Sequence, residues 1–495
     1  MGRVIKISAF WIVLTLLASS ATPQGSRTSS ESHGGDASRV EHKNRAPVSK
    51  ELLEVRIPRA REFTLSNGLT VLVIEDHRLP LVSIQYSIGA AGPVFEPADL
   101  PGLANITAQM MEEGTKSKTS LQIAEAVESL GASLSVSSGY GSYLLSVSAS
   151  GLADNFDAWF ALANDVLLNP SFPKDELDQL KERLRIGLRQ QRTDPDFLAT
   201  ERFNRVVYGP HPAANVTTTL AVIDALTPER LAQWHNERLA PQNAILGIAG
   251  DVHVDSLLPR LEAALANWKR TALKELPPAD PKPAVHRGVY VVDRPGSAQT
   301  NLYMGNIAVD RRSPDYFPVL VANQAFGGNG SARLFTKLRE EKGYTYGAYS
   351  WFIARKYPGP WLAAGNSRTD VTGPAMAEFI NEIQRLRAEP VTDRELEDAK
   401  RAIVASFALS LESKDELLGY AITQKIYDLP ADYWDTYPQK VSAVSAADVR
   451  RVAQQYLDPD TLQVVAVGAA SAIIPAMRKY GPVEIYNVEG KKISR

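Results

Sequence analysis

Imidazole serves as a metal ligand, a general base and a proton carrier near neutral pH, so the histidines are the first residues to place. There are seven: His33, His42, His77, His211, His235, His253 and His286. No two stand three to five residues apart, so no helix offers a ligand pair on one face. His235, beside Trp234 on an amphipathic helical pattern, reads as structural, and the others read as ordinary surface or loop histidines. The chain has no cysteine, which removes disulfides, thiolate nucleophiles, cysteine-ligated zinc and iron–sulfur clusters. No G-x-S-x-G elbow is present to support a serine hydrolase.

A glycine cluster, FGGNGSARLF (Phe326 to Phe335), opens a helical pattern. It has neither the G-x-x-x-x-G-K-[ST] nor the G-x-G-x-x-G spacing, so a tight turn or a close backbone approach is the better reading than phosphate binding. Leu334, Phe335 and Leu338 form one apolar face of that helix, with Arg333, Lys337, Glu340 and Glu341 elsewhere. Arg339 falls on its flank, and Gly343 is the expected stop. Tyr344, Tyr346 and Ala348 are then expected on one side of a following strand. Arg339 closes the helix and Tyr346 starts the strand, so the two side chains could converge; on residue types alone, a solvated arginine and a core or rim tyrosine are the commoner reading.

These residues need a framework, and the pattern supplies one. FTLSNGLTVLVIED (Phe63 to Asp76) predicts two strands around Asn67-Gly68, a strong hairpin signal. Leu81 to Ile88, Leu134 to Val136 and Tyr143 to Val147 predict further strands; Leu121 to Leu130, Leu152 to Leu168 and Pro173 to Gln191 predict helices. PPADPKP (Pro277 to Pro283) is a proline-stiffened linker. The stretches on either side of it look like copies. LTPERLAQWHNERLAPQNAILGIAGDV from Leu226 matches VSAADVRRVAQQYLDPDTLQVVAVGAA from Val444, and FPKDELDQLKERL from Phe172 matches VTDRELEDAKRAI from Val391. Two matches at nearly one period argue for duplication. The expected fold is α+β: two homologous repeats, each a mostly antiparallel sheet packed against helices.

At the N-terminus, Arg3 and Lys6 precede an apolar run, Ile7 to Leu17, too short to span a bilayer, and small residues Ser19 and Ala21 follow. This is the pattern of a cleaved secretory signal and predicts a periplasmic or secreted protein. The expected order is therefore a signal peptide over 1–21, a disordered Ser/Gly-rich spacer over 22–55, a first repeat over 56–276, the linker over 277–284 and a second repeat over 285–485. No later stretch is long and apolar enough for a membrane span. The net charge of -2 and the lack of a Lys/Arg block argue against nucleic acid as a partner.

FGGNGSARLFTKLREEKGYTYGAYSWF (Phe326 to Phe352) closely resembles the C-terminal-repeat signature of the pitrilysin/insulinase metallopeptidase family, and the likeness extends over about Arg61 to Ala470, including PGSAQTNLYMG (Pro295 to Gly305). In that family one repeat carries H-x-x-E-H, whose histidines bind zinc and whose glutamate is the general base. The matching stretch here is PGLANITAQMMEEGT (Pro101 to Thr115). Its ligand positions are Asn105 and Gln109 and its base position is Ala108, so these three are degenerate zinc-motif positions and not ligands. The third-ligand position falls near Ile186 and Gly187, with Glu182 about a turn too early; Glu112 and Glu113 have no histidine nearby in sequence. The resemblance also implies a role for an arginine followed seven residues later by a tyrosine, which is Arg339 and Tyr346. In family members that complete the site from the other repeat, these stabilise the tetrahedral intermediate. The resemblance thus implies a chain with no cofactor of its own, working as the non-zinc subunit of a heteromeric peptidase. Its partner would be a family subunit that bears H-x-x-E-H and the zinc, and its substrate a peptide. An edge strand, Leu134 to Val136 or Tyr143 to Val147 or one of their second-repeat counterparts, is expected to extend that peptide by strand addition. The alternative is a non-enzymatic binding or scaffold protein on the same fold.

Overall fold

A computed structural model describes residues 55, 57–272 and 277–493. The signal-peptide reading of 1–21 and the spacer reading of 22–55 therefore lie outside the described residues, apart from Val55. No helix among the described residues is long and apolar enough to cross a membrane.

Asn67-Gly68 does what its residue types require. Gly68 takes a φ of +90°, which side-chain-bearing residues resist, and the turn joins β1 (Arg61–Thr64) to β2 (Thr70–Glu75) in antiparallel register. The Asn67 amide donates to the carbonyls of Leu265 and Trp268 at 3.1 and 3.3 Å, so the turn also clamps the end of the helix Val254–Leu265. β3 (Leu81–Gly89), β4 (Ser133–Ser137), β5 (Leu144–Leu152) and β6 (Ala244–Gly250) complete a sheet of order β1-β2-β6-β3-β5-β4. The second sheet contains β7 (Gly288–Asp293), β8 (Gln299–Ile307), β9 (Thr345–Phe352), β10 (Pro360–Arg368), β11 (Gln463–Gly468) and β12 (Val483–Tyr486), in the order β12-β7-β11-β8-β10-β9.

The run β2-β6-β3-β5-β4 recurs strand for strand as β7-β11-β8-β10-β9. Its one parallel pair recurs too, β2 with β6 and β7 with β11, while β12 adds a second parallel partner to β7. All other pairings are antiparallel. The α+β fold with two homologous, mostly antiparallel halves is the one expected.

One boundary differs. Leu152, expected to begin a helix, ends β5 paired with Leu81, and the helix starts at Phe156 after a short 3-10 turn. The alternating run from Leu144 to Leu152 keeps its small polar residues on one face, which favours continued pairing with β3.

The halves are locked together by exchanged helices. In each, a long helix (Lys174–Gln191, Asp393–Ser410) is followed by another (Pro195–Tyr208, Lys414–Ile426). The helix Pro195–Tyr208 from the first half seats on β8 and β11 of the second sheet, with Leu198 and Phe203 sharing a core with Tyr303, Val465 and Val467. Reciprocally, the helix Lys414–Ile426 puts Leu417, Leu418 and Ile422 against Leu72, Ile74 and Ala249 of the first sheet. Burying each such side chain is worth roughly 1.5–3 kcal/mol. Polar ties follow the same route: Arg202 donates to the Gly490 carbonyl at 2.9 Å, and Lys414 to the Leu81 carbonyl at 2.8 Å. Glycine permits the close approach. A Cβ on Gly247 of β6 would meet Ile422 Cδ1 and Leu418 Cδ1 at 2.8 Å, and one on Gly305 of β8 would meet Phe203 Cζ at 3.0 Å.

Arg333 departs from expectation. It was placed away from the apolar face, yet its side chain is only 5% exposed, and it grips Glu395 through two guanidinium nitrogens, at 2.5 and 2.9 Å. The acceptor is the first-turn glutamate of the helix Asp393–Ser410, where it closes a capping box with Thr392. A charge that looks like a solvated flank locally is buried by a helix distant in sequence. Burial alone would raise the Glu395 pKa; Arg333 and the Thr392 hydrogen bonds outweigh it and bring it down from 4.5 to about 2.

Two outcomes are expected. Gly247→Val should overpack the exchanged helix and lower stability by about 1–3 kcal/mol in thermal or urea unfolding. Gly187→Ala, inside Lys174–Gln191 where an added Cβ meets nothing within 4 Å, should gain about 0.5–1 kcal/mol; equal effects would contradict the packing account. Because the folded state depresses the Glu395 pKa, its contribution is complete above the unfolded value and fades as pH falls from about 4.5 towards 2. Glu395→Gln should therefore cost on the order of 2–3 kcal/mol near pH 7. That difference should shrink in melts at pH 3, and a pH-independent difference would rule the ion pair out as its source.

Candidate functional site

Phe326 to Phe352 forms a helix–turn–strand unit at one margin of the second sheet. Gly327 lies where a Cβ would meet the Ser350 backbone nitrogen at 2.6 Å, which accounts for one member of the glycine cluster as a close approach of helix end to β9. A helical turn at Arg333–Phe335 widens into a π-helical turn over Thr336–Glu341, with Leu334 and Leu338 fully buried and Arg339 exposed. Such widened turns recur at functional sites. Gly343 ends the segment at φ +62°.

β9 then begins at the sheet edge with an irregularity. Ala348 pairs with Gly365 but Thr345 pairs with Ser367, so β9 carries one extra residue, a bulge. The expected alignment of Tyr344, Tyr346 and Ala348 on one side is therefore wrong. The bulge turns Tyr346 outward to 77% exposure, while Thr345 and Ala348 are buried. The expected convergence does occur: the Arg339 guanidinium carbon lies 5.2 Å from the centre of the Tyr346 ring, and its Nη1 donates to the Thr345 carbonyl at 3.4 Å. No acidic group among the described residues forms an ion pair with Arg339. A fixed guanidinium beside a phenol is suited to binding anionic or developing negative oxygen.

The degenerate zinc positions lie on the helix Leu103–Met111. Asn105 and Gln109 do sit one turn apart, but they bind each other: Gln109 Nε2 donates to Asn105 Oδ1 at 2.8 Å, and Asn105 Nδ2 donates to the Ser138 carbonyl at 3.0 Å. Ala108 is fully buried and has no proton acceptor. Glu112 accepts from the Val136 N–H at 2.5 Å, and burial raises its pKa. Glu113 is paired with Arg183 at 3.1 Å and accepts from the Ser120 hydroxyl. Glu182 is exposed and bound to Arg185; Ile186 is exposed and Gly187 has no side chain. Neutral amides already committed to one another do not fit a zinc ion. At the entrance to this helix Glu96 accepts from the N–H groups of Gly102 and Ala104, at 2.7 and 2.6 Å. These two bonds anchor the start of the helix, and burial raises the Glu96 pKa to about 7.

Of the two edge-strand candidates, β4 (Ser133–Ser137) is an edge, whereas β5 is paired on both sides by β3 and β4. β9 is the equivalent edge of the second sheet. Spacing rules missed one grouping: His77 and His253, read separately as surface histidines, meet with their ring centres 4.6 Å apart. They come from loops after different strands, so only knowledge that β2 pairs with β6 would have joined them.

Residues 70–218 match the family model described as insulinase (peptidase family M16), and residues 225–403 match that of the peptidase M16 inactive domain. The chain is 23% identical over 411 residues to an uncharacterized zinc protease YmxG of Bacillus subtilis, covering 81% of this chain and 96% of that one. It is 24% identical over 388 residues to a Helicobacter pylori protein named non-peptidase homolog YmxG, covering 77% and 87%. Among solved structures, a peptidase M16 inactive domain from Pseudomonas fluorescens superposes with a TM-score of 0.77 at 25% identity, over 83% of this chain and 98% of that one. A protease from Helicobacter pylori gives 0.77 at 18% identity, over 83% and 100%, a likeness of fold. Sequence and fold agree across both halves, and the chain belongs to peptidase family M16, the insulinase family, as a member without the H-x-x-E-H motif.

Proposed function

We propose that this protein is the zinc-free subunit of an exported two-chain metallopeptidase. A family partner bearing H-x-x-E-H supplies the zinc centre; this chain supplies Arg339, Tyr346 and part of the wall around an unfolded peptide. The observation that carries the reading is the Arg339–Tyr346 pair. An exposed cation–π contact is worth only about 0.5–1 kcal/mol. Tyr346 is 77% exposed and buries little, so folding stability is a poor reason for the bulge that turns it outward. A guanidinium and a phenol held together at a sheet margin suit the tetrahedral intermediate of peptide hydrolysis. The edges of β4 and β9 are available for a peptide to pair by strand addition. Export rests on the N-terminal pattern of Arg3, Lys6 and the apolar run from Ile7 to Leu17.

A second reading, a non-enzymatic binding or scaffold protein, has its own support. The positions matching the zinc motif are closed by the Asn105–Gln109 and Asn105–Ser138 hydrogen bonds, and one relative carries the name non-peptidase homolog.

The two readings separate on rate. In the assembled two-chain enzyme, Arg339→Ala and Tyr346→Phe are each expected to lower kcat/KM for a peptide by roughly 10²- to 10³-fold, with subunit affinity unchanged. Full peptidase rate with both residues replaced would support the scaffold reading instead.

A further inference from the structure

Away from the site above, the parallel pair β2/β6 delivers two loops to one place. β2 ends at Glu75 and β6 at Gly250, directly in register, and the Asp76 N–H donates to the Gly250 carbonyl at 2.8 Å. The residues that follow carry ligand chemistry: His77 on one loop, Asp251 and His253 on the other. One ligand atom from each of Glu75, His77 and His253 lies within 4.8 Å of the other two. The imidazole rings are tilted by 33° and do not stack flat. His77 Nδ1 sits 2.6 Å from Asp251 Oδ1, which fixes the ring and leaves Nε2 as its ligand atom. Glu75 is held in turn: Oε1 accepts from the Val254 N–H at 2.9 Å, and Oε2 lies 3.8 Å from the Arg61 guanidinium.

We propose that Glu75, His77 and His253 form a binding site for a zinc-class divalent cation, with Asp251 as the residue that orients His77. Two imidazoles and a carboxylate are a donor set suited to zinc and its late first-row neighbours, and three protein ligands leave a fourth position open to water or to a group from a partner. A carboxylate behind a ligating histidine is the usual way its tautomer and direction are set. Zinc bonds of about 2.0–2.1 Å put tetrahedral ligand atoms about 3.3 Å apart. Ligand atoms within 4.8 Å of one another have at most about 1.5 Å to close, which exposed side chains achieve by rotation while paired strand ends hold their backbones.

This site is separate from the degenerate motif. β3 begins at Leu81, whose carbonyl accepts from the Asp251 N–H at 3.1 Å, and it ends at Gly89, from which the chain leads on to the helix of Asn105 and Gln109. A strand of this length spans roughly 27 Å, and Asn105 is bound to Ser138, next to Ser137, which registers through Ser146 on Ser87 near the far end of the strand. The separation in sequence explains why the cluster leaves no motif.

The test uses the full chain without an affinity tag, stripped with a chelator and titrated with zinc by calorimetry, with bound metal measured by elemental analysis. A single zinc equivalent is expected. His77→Ala and His253→Ala should each weaken binding at least about tenfold or abolish it, and Asp251→Asn should weaken it roughly 10- to 100-fold. His286→Ala, outside the cluster, should leave it unchanged. All are exposed or half-buried positions, and His253 contributes no side-chain cap to its helix, so unchanged melting curves in the metal-free state confirm that folding is intact. A wild-type chain that takes up no zinc, or histidine variants that keep wild-type affinity, would overturn the proposal.

Discussion

The exchange of helices between the two halves is the contact on which the architecture depends. Each half folds a sheet whose apolar surface is completed by a helix from the other: Phe203 on the second sheet, Leu418 and Ile422 on the first. Neither sheet can satisfy its core alone, so the duplicated chain behaves as one body. Gly247 and Gly305 leave room for side chains of the guest helices, Leu418 and Ile422 at one and Phe203 at the other. The polar contacts of Arg202 and Lys414 lie along the same seam and give the apolar contact direction.

That rigidity is what lets a small surface feature hold its position. The helical turn bearing Arg339 is anchored beneath by Leu334, Leu338 and the Arg333–Glu395 pair, and above it β9 is tied along its length to β10. One extra residue in β9 then suffices to bring Tyr346 under the guanidinium. In the first half, the amides of Asn105 and Gln109 are spent on a hydrogen bond between them. The two halves have thus diverged in side chains while keeping one topology, the second offering an open cation and phenol and the first a closed pair.

What was legible in the sequence was local or periodic. Asn67-Gly68 announces a hairpin because only a few residue types accept its backbone angles. The duplication shows because Pro241 and Gly250 in one stretch keep the offsets of Pro459 and Gly468 in the other, and Arg339 and Tyr346 could be brought together because a helix, a stopping glycine and a strand lie between them. What stayed hidden depends on a partner far away in the chain. Tyr346 faces outward because of how β9 registers on β10, and Arg333 is buried because Glu395 waits at the start of another helix. His77 and His253 meet because two parallel strands end together. Leu152 belongs to a strand because Leu81 pairs with it. None of these leaves a signature within a window of ten or so residues.

If this chain completes the active site of another, as proposed, its native partner bears the zinc centre, and the identity of that partner is the direct test. The chain would be captured from an extract of its native cells and its stoichiometric partners identified by mass spectrometry. A family member with an intact H-x-x-E-H motif is expected. Recovery of this chain alone, or only of proteins without that motif, would contradict it.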